Sequence, residues 1–399
     1  MRSESRFVPT KVTLVSILLC SMLMLMGGAA VAPALPIINE VFPGSDFLVS
    51  LIITLPSLSV AIFGFVVGTI ADRLGKVKVL VASLLIFFLC GVAGFFIGET
   101  QADLYILLVL RFILGIGIAG ITCCVTALIA DYYGGIQRAK VMSYQSAAMG
   151  VGILILEFTG GTLAEITWRE PFLVYLIGVP IMLMVLGSMR ETSKTDVAIN
   201  ASTGRRPANR KLILVCYIAI FVLQTMSFLM PTKMPYYLEG IGVSSSIVGL
   251  FLGVHGISNA LVSLMYGRLS SRLPVFVIMG AGFLFMGVGL SLLFINGSVA
   301  MSVVVMIFTG IGLGLTVPSV ANTLAGEATG STSGKIMGGY STCLNLGQFA
   351  ISLISVPLFS VVGSSYPNMF LVMGVIAILM GLAFVLANRS RPSRSASAA

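Results

Sequence analysis

Long apolar runs separated by short polar breaks organise the whole chain. The runs fall near residues 12–37, 46–71, 78–98, 104–131, 139–164, 171–189, 211–237, 244–267, 274–294, 299–325, 335–362 and 367–388. Each is close to the ~20 apolar residues that carry a helix across a hydrocarbon layer ~30 Å thick. In lipid a single segment satisfies its own backbone groups only as a helix, so the pattern predicts an all-α, polytopic chain of twelve transmembrane helices. The first run resembles a signal peptide, with Arg2 and Arg6 ahead of it and Gly27-Gly28-Ala29-Ala30 within it. It is longer than the ~7–15-residue core of such a peptide, and is expected to stay as a helix.

Composition sharpens this picture. The chain is 57% hydrophobic and only 9% charged, where a soluble domain carries ~25% charged residues. The net charge of +9 raises the question of nucleic acid. The cations, however, cluster in short breaks between apolar runs, which is the pattern of membrane orientation. Alternate breaks and both tails hold 20 of the 23 Lys and Arg residues. The other side has Arg169 and, near a helix end, Lys233; Arg111 lies within a span. Lys and Arg mark the cytoplasmic side, so both termini are expected there, in a plasma (inner) membrane. The six cysteines all sit in apolar stretches without CxxC spacing, and read as buried thiols. No metal or cofactor site is expected, nor a nucleic-acid partner, and the chain is expected to be a monomer.

The second half echoes the first. Pro36 and Pro235, Gly68 and Gly267, and Arg73 and Arg272 are each separated by 199 positions. Gly115-x-Gly117 matches Gly312-x-Gly314 at an offset of 197. Six spans per copy send both copies into the membrane in the same direction. The predicted organisation is a six-helix bundle over 1–189, a polar cytoplasmic linker over 190–210, and a second bundle over 211–399.

The break after the second run reads Gly68-Thr-Ile-Ala-Asp72-Arg73-Leu-Gly75-Lys76-Val-Lys78. It resembles the GxLADRxGRK signature of the major facilitator superfamily. Arg111-Phe-Ile-Leu114-Gly115-Ile-Gly117-Ile-Ala119 is similar to the RxxxGxGxA motif of proton-coupled members, with Leu114 where Gln is common. In span 5, Leu156-Glu157-Phe158-Thr159-Gly160-Gly161 keeps the paired glycines of the drug exporters' GPxxGG motif but replaces Gly-Pro by Leu-Glu. The resemblance is to the twelve-helix drug:proton antiporter branch. It implies a gate in which Asp72 faces the start of span 11, Ser331–Lys335, and Arg73 lies near Asp131, with Gly68, Gly75, Lys76 and Arg138 in the same motif.

Charge inside a membrane is costly, so intramembrane ionisable groups are functional candidates. Arg111 lies eight residues into span 4 from Asp103, and Glu157 eight residues before Glu165. At ~1.5 Å per residue both sit ~12 Å below the same surface, which predicts an Arg111–Glu157 pair. That pair either responds to protons or substrate or simply locks two helices. His255, the only histidine, is either a proton relay or, more plainly, a neutral ring bonded to a neighbouring helix. Gln224, Asn345 and Gln348 are candidates for the substrate cavity. So is Met26, among methionines that form either an adaptable apolar wall or ordinary packing. The expected function is export of small, mostly apolar organic molecules by proton antiport and alternating access. The alternatives are a facilitator or symporter for a polar metabolite and, more remotely, a non-transporting receptor. A single mid-membrane histidine and no GxxxxGK[ST] loop argue against an enzyme or an ATP-driven pump.

Overall fold

Helix starts are written locally. Thr10 and Thr13 form a capping box ahead of span 1, and Thr100 with Asp103 forms another ahead of span 4. Each threonine hydroxyl takes a free N–H of the first turn. The computed structural model describes residues 9–191, 209–295, 297–327 and 333–389. The predicted linker falls mostly on 192–208, outside the described residues, as do Arg2 and Arg6.

Among the described residues there are eleven helices long and apolar enough to cross a membrane, plus one bent pair that forms a further span. Span 1 is that pair, Lys11–Leu23 and Met26–Val41, bent by 51°. The others are span 2 (Asp46–Leu74), span 3 (Lys76–Phe96), span 4 (Gln101–Tyr132), span 5 (Gly135–Ala164) and span 6 (Glu170–Ser188). The second set is span 7 (Arg210–Gly240), span 8 (Ser245–Ser270), span 9 (Val275–Ile295), span 10 (Val299–Glu327), span 11 (Gly334–Val361) and span 12 (Tyr366–Asn388). Their ends agree with the apolar runs to within a few residues. The fold is all-α, with two six-helix bundles.

Helices in lipid gain little from hydrophobicity against one another, so small residues decide how close they come. A Cβ at Gly115 would sit 2.6 Å from Ser59 Cβ and 2.8 Å from Pro56 Cα, which seats span 4 directly on span 2. Gly312 does the same between spans 10 and 9, against Gly282 O at 2.6 Å. Between the bundles, span 5 runs along span 8 and span 2 along span 11. Large apolar side chains such as Phe65, Leu183 and Leu379 point outwards, as lipid-facing residues do.

Candidate functional site

Pro56 lies within span 2 and has no N–H, so it cannot bond the carbonyl of Ile52 four residues earlier. Arg111 supplies the missing donor. Its Nε donates to Ile52 O at 2.8 Å and its Nη1 to the Tyr175 hydroxyl at 2.6 Å. Tyr175 in turn donates to Met26 O at 3.0 Å, beside the bend of span 1. The guanidinium lies 5.5 Å and 5.4 Å from the centroids of the Phe172 and Tyr175 rings, a cation–π arrangement in a buried site. Arg111 is fully buried, and its Nη2 has no hydrogen-bond partner among the described residues. Arg111 therefore ties spans 1, 2, 4 and 6 into one unit. Tyr175 was not singled out from the sequence; the signal was Pro56, which marks a carbonyl in need of a donor.

The expected Arg111–Glu157 pair is not formed. Arg111 turns inward within its own bundle, whereas Glu157 lies on the face of span 5 that packs against span 8. Counting residues gives height along a helix but not direction around it. A Cβ at Gly249 of span 8 would be 2.8 Å from the carbonyl carbon of Glu157 and 3.2 Å from Phe158 Cα. Glu157 is 6% exposed, and its Oε2 has no hydrogen-bond partner among the described residues. This is an ionisable group buried in the seam between bundles.

The seam closes tightly toward the end of the molecule that carries Glu165. There a Cβ at Gly161 would lie 3.0 Å from Ser245 C and 3.0 Å from Ser246 Cα. Glu165, just past span 5, accepts from the N–H of Ser246 at 3.2 Å, in the first turn of span 8. The free N–H groups of a helix start favour a negative charge. The Ser246 hydroxyl and N–H, with the Ser244 hydroxyl, hold the Glu165 carboxyl below the usual glutamate range. Tyr236 donates to Leu35 O at 3.3 Å across the same end. Nearer mid-depth, Thr54 and Ser352 share a hydrogen bond of 2.6 Å, and Ser57 donates to Gln348 Oε1 at 2.7 Å.

The opposite end, which carries Asp72, is splayed. Gly64, Gly267 and Gly338 have nothing within 4 Å of a built Cβ. Leu74 and Met265 are more than half exposed. Asp72, Arg73 and Arg138 are exposed, and among the described residues Asp72 forms no hydrogen bond or ion pair. Its expected partner begins in 328–332, which lie outside the described residues. The ion pair to Asp131 comes from Lys76 at 2.6 Å, not from Arg73. Gly75, at φ +110°, reverses the chain between spans 2 and 3 and aims Lys76 at the end of span 4. Glu191 accepts from the N–H of Lys78 at 2.9 Å in the first turn of span 3. Its carboxyl occupies the space a Cβ on Gly75 would need, so both φ and room call for glycine. Gly68 faces Cys123 at 3.9 Å.

His255 bridges span 7 and span 10, with Nε2 3.4 Å from the Ser227 hydroxyl and Nδ1 3.1 Å from the Thr309 hydroxyl. Among the cavity candidates, Met26 is fully buried in the first bundle's core and lines no opening in this state. Gln224 is buried where span 7 meets Gly347 of span 11. Asn345 bonds Ser341 O of its own helix at 2.8 Å. Among the described residues, Gln348 is the one of the four that carries a hydrogen bond across the seam. Lys233, expected near a helix end, is buried, because span 7 continues seven residues further to Gly240.

This architecture has relatives. The model of the Major Facilitator Superfamily matches residues 17–236 and again 216–399. An uncharacterized MFS-type transporter, YceJ of Bacillus subtilis (strain 168), is 27% identical over 64% of this chain and 66% of its own length. The tetracycline resistance protein, class C, of Escherichia coli is 25% identical over 90% of this chain and 92% of its own. Among solved structures, a D-xylose-proton symporter superposes with a TM-score of 0.74 at 16% identity, covering 94% of this chain and 97% of that one. With the doubled match spanning both bundles, the chain belongs to the Major Facilitator Superfamily and is an integral, multi-pass membrane transporter.

Proposed function

We propose that this transporter exports small, mostly apolar organic molecules by proton antiport, with Glu157 carrying the proton. The observation that carries this reading is the place of Glu157: buried, with an unpartnered oxygen, in the seam along which the bundles separate. Burying a charged carboxylate without a counter-ion costs several kcal/mol. Closing the seam and binding a proton at Glu157 are therefore thermodynamically linked. Alternating access supplies the motion, as the bundles rock about a central site. The excess of Lys and Arg at the Asp72 end makes that end cytoplasmic, so the described state is open to the cytoplasm and sealed outside. The likeness to the multidrug efflux protein YfmO of Bacillus subtilis (strain 168), 26% identical over 66% of this chain and 67% of its own length, supports export.

The test is reconstitution in vesicles with an imposed pH gradient, following an apolar fluorescent cargo and proton flux together. Wild type moves cargo against its gradient as protons flow the other way. Glu157→Gln is expected to retain downhill movement and lose the proton dependence. Normal uphill transport by this variant, with an unchanged pH profile, refutes the assignment. Cargo and protons moving in the same direction favour the symporter instead.

A further inference from the structure

Lys233 stands on span 7 between Pro231 and Pro235, with its side chain 6% exposed. Its ammonium lies 5.5 Å from the centroid of the Tyr236 ring. It makes no hydrogen bond to a described residue, and no described carboxylate lies within the 4 Å of an ion pair. Asp46 of span 2 is the acidic group whose field reaches it. That carboxylate already accepts from Asn39 Nδ2 at 2.8 Å. Around the lysine the same helix buries Met230 and Met234, and the facing part of span 1 buries Leu35 and Ile38. Tyr236, one turn on from Lys233, crosses the seam to Leu35 O. Lys233 therefore belongs to the face of the second bundle that meets the first.

Buried charges in proteins are paired or hydrogen-bonded, and an intramembrane cation implies a partner. Asp46 is not that partner in this state, where this end of the seam is closed. Opening this end takes span 2 and Asp46 further from span 7. A closer anion then has to come from outside the chain, as cargo already loaded at the Asp72 end meets Lys233 when this end opens. We propose that Lys233 is a substrate-recognition cation, and that the cargo is an amphiphilic organic anion: one carboxylate or similar group on an apolar body. The ammonium takes the charged group, while Met230, Met234, Leu35 and Ile38 suit the apolar part. This rests on the transport reading above and narrows its cargo, but does not depend on proton coupling.

Equilibrium binding separates the two. The purified full chain in nanodiscs is titrated with 2-naphthoate, its methyl ester and 2-naphthylmethylammonium, three probes with one ring system. Empty nanodiscs supply the partition correction. Wild type is expected to bind the carboxylate about tenfold more tightly than the ester, the range of a hydrogen bond to a charged group, and the ammonium probe more weakly than either. Lys233→Gln brings the carboxylate down to the ester's affinity and leaves ester binding unchanged, which also reports a folded protein. Lys233→Arg keeps the preference. Equal wild-type affinity for the three probes overturns the proposal without any variant, as does a carboxylate preference that survives Lys233→Gln. A persistent preference alongside uncoupled transport would refute proton antiport and leave Lys233 in its role.

Discussion

Adding one methyl group at Gly161 tests whether the seam is the moving contact. In the sealed state, the Cβ of Gly161→Ala lies 3.0 Å from both Ser245 C and Ser246 Cα, with the Ser245 carbonyl oxygen nearer still. These are backbone atoms of a helix start and cannot rotate away. Spans 5 and 8 must separate by more than about 1 Å to bring the Ser245 oxygen back to an ordinary contact distance. Overpacking of this kind costs ~1–3 kcal/mol. The cost falls only on the state closed at this end, since opening removes the contact. The equilibrium is therefore expected to shift roughly 5- to 150-fold toward the state open at the Glu165 end. Electron–electron distance measurements between spin labels at Ile166→Cys and Ile241→Cys, in a background lacking the six native cysteines, read this directly. Both positions are exposed and lie at the sealed end, one in each bundle. The distance distribution should broaden and move outward. Gly187→Ala, where nothing lies within 4 Å, should leave it unchanged. A Gly161→Ala protein with the wild-type distance distribution refutes the reasoning.

Further outcomes follow from the same geometry. Glu165→Gln removes the charge from the start of span 8; the group is exposed and screened, so the closed state loses only ~0.3–1 kcal/mol at pH 7, read as a small increase in the same label distance. Closure holds the Glu165 carboxyl below its ordinary value of 4.5. Its contribution is thus full above that pH and is lost as pH falls through the lower closed-state value, so acid should open the wild-type seal and leave Glu165→Gln insensitive over that range. Tyr175→Phe leaves Arg111 Nη1 and Met26 O without their shared hydroxyl, and should lower stability by ~1–3 kcal/mol; thermal unfolding in nanodiscs measures it, and an unchanged midpoint would show that the link carries no stability.

The twelve spans were legible because apolar run length and helix rise are both local properties. The repeat was legible from four spaced matches, and the doubled family match follows it. Side-chain partnership was not. Arg111 and Glu157 stand at heights a residue count supplies, but their directions depend on how each helix is rotated against its neighbours. Glycine contacts such as Gly115 on Pro56 and Gly249 on Glu157 set that rotation, and those pairings are long-range. Arg73 was assigned to Asp131 from the family motif, yet the positive-φ turn at Gly75 hands that role to Lys76. Lys233 reads as peripheral because Pro231 and Pro235 around it suggest the end of span 7, whereas both prolines are carried within that span, which runs to Gly240.

The partnership of Pro56 and Arg111 constrains how this protein can change over time. An ordinary residue at 56 would restore an amide hydrogen for Ile52, whose carbonyl oxygen has two lone pairs and can keep the guanidinium as well. Loss of the arginine alone would strand that carbonyl in a dry interior. Losing the arginine first is therefore the penalised step, and descendants of this chain are expected to lose Arg111 only after Pro56.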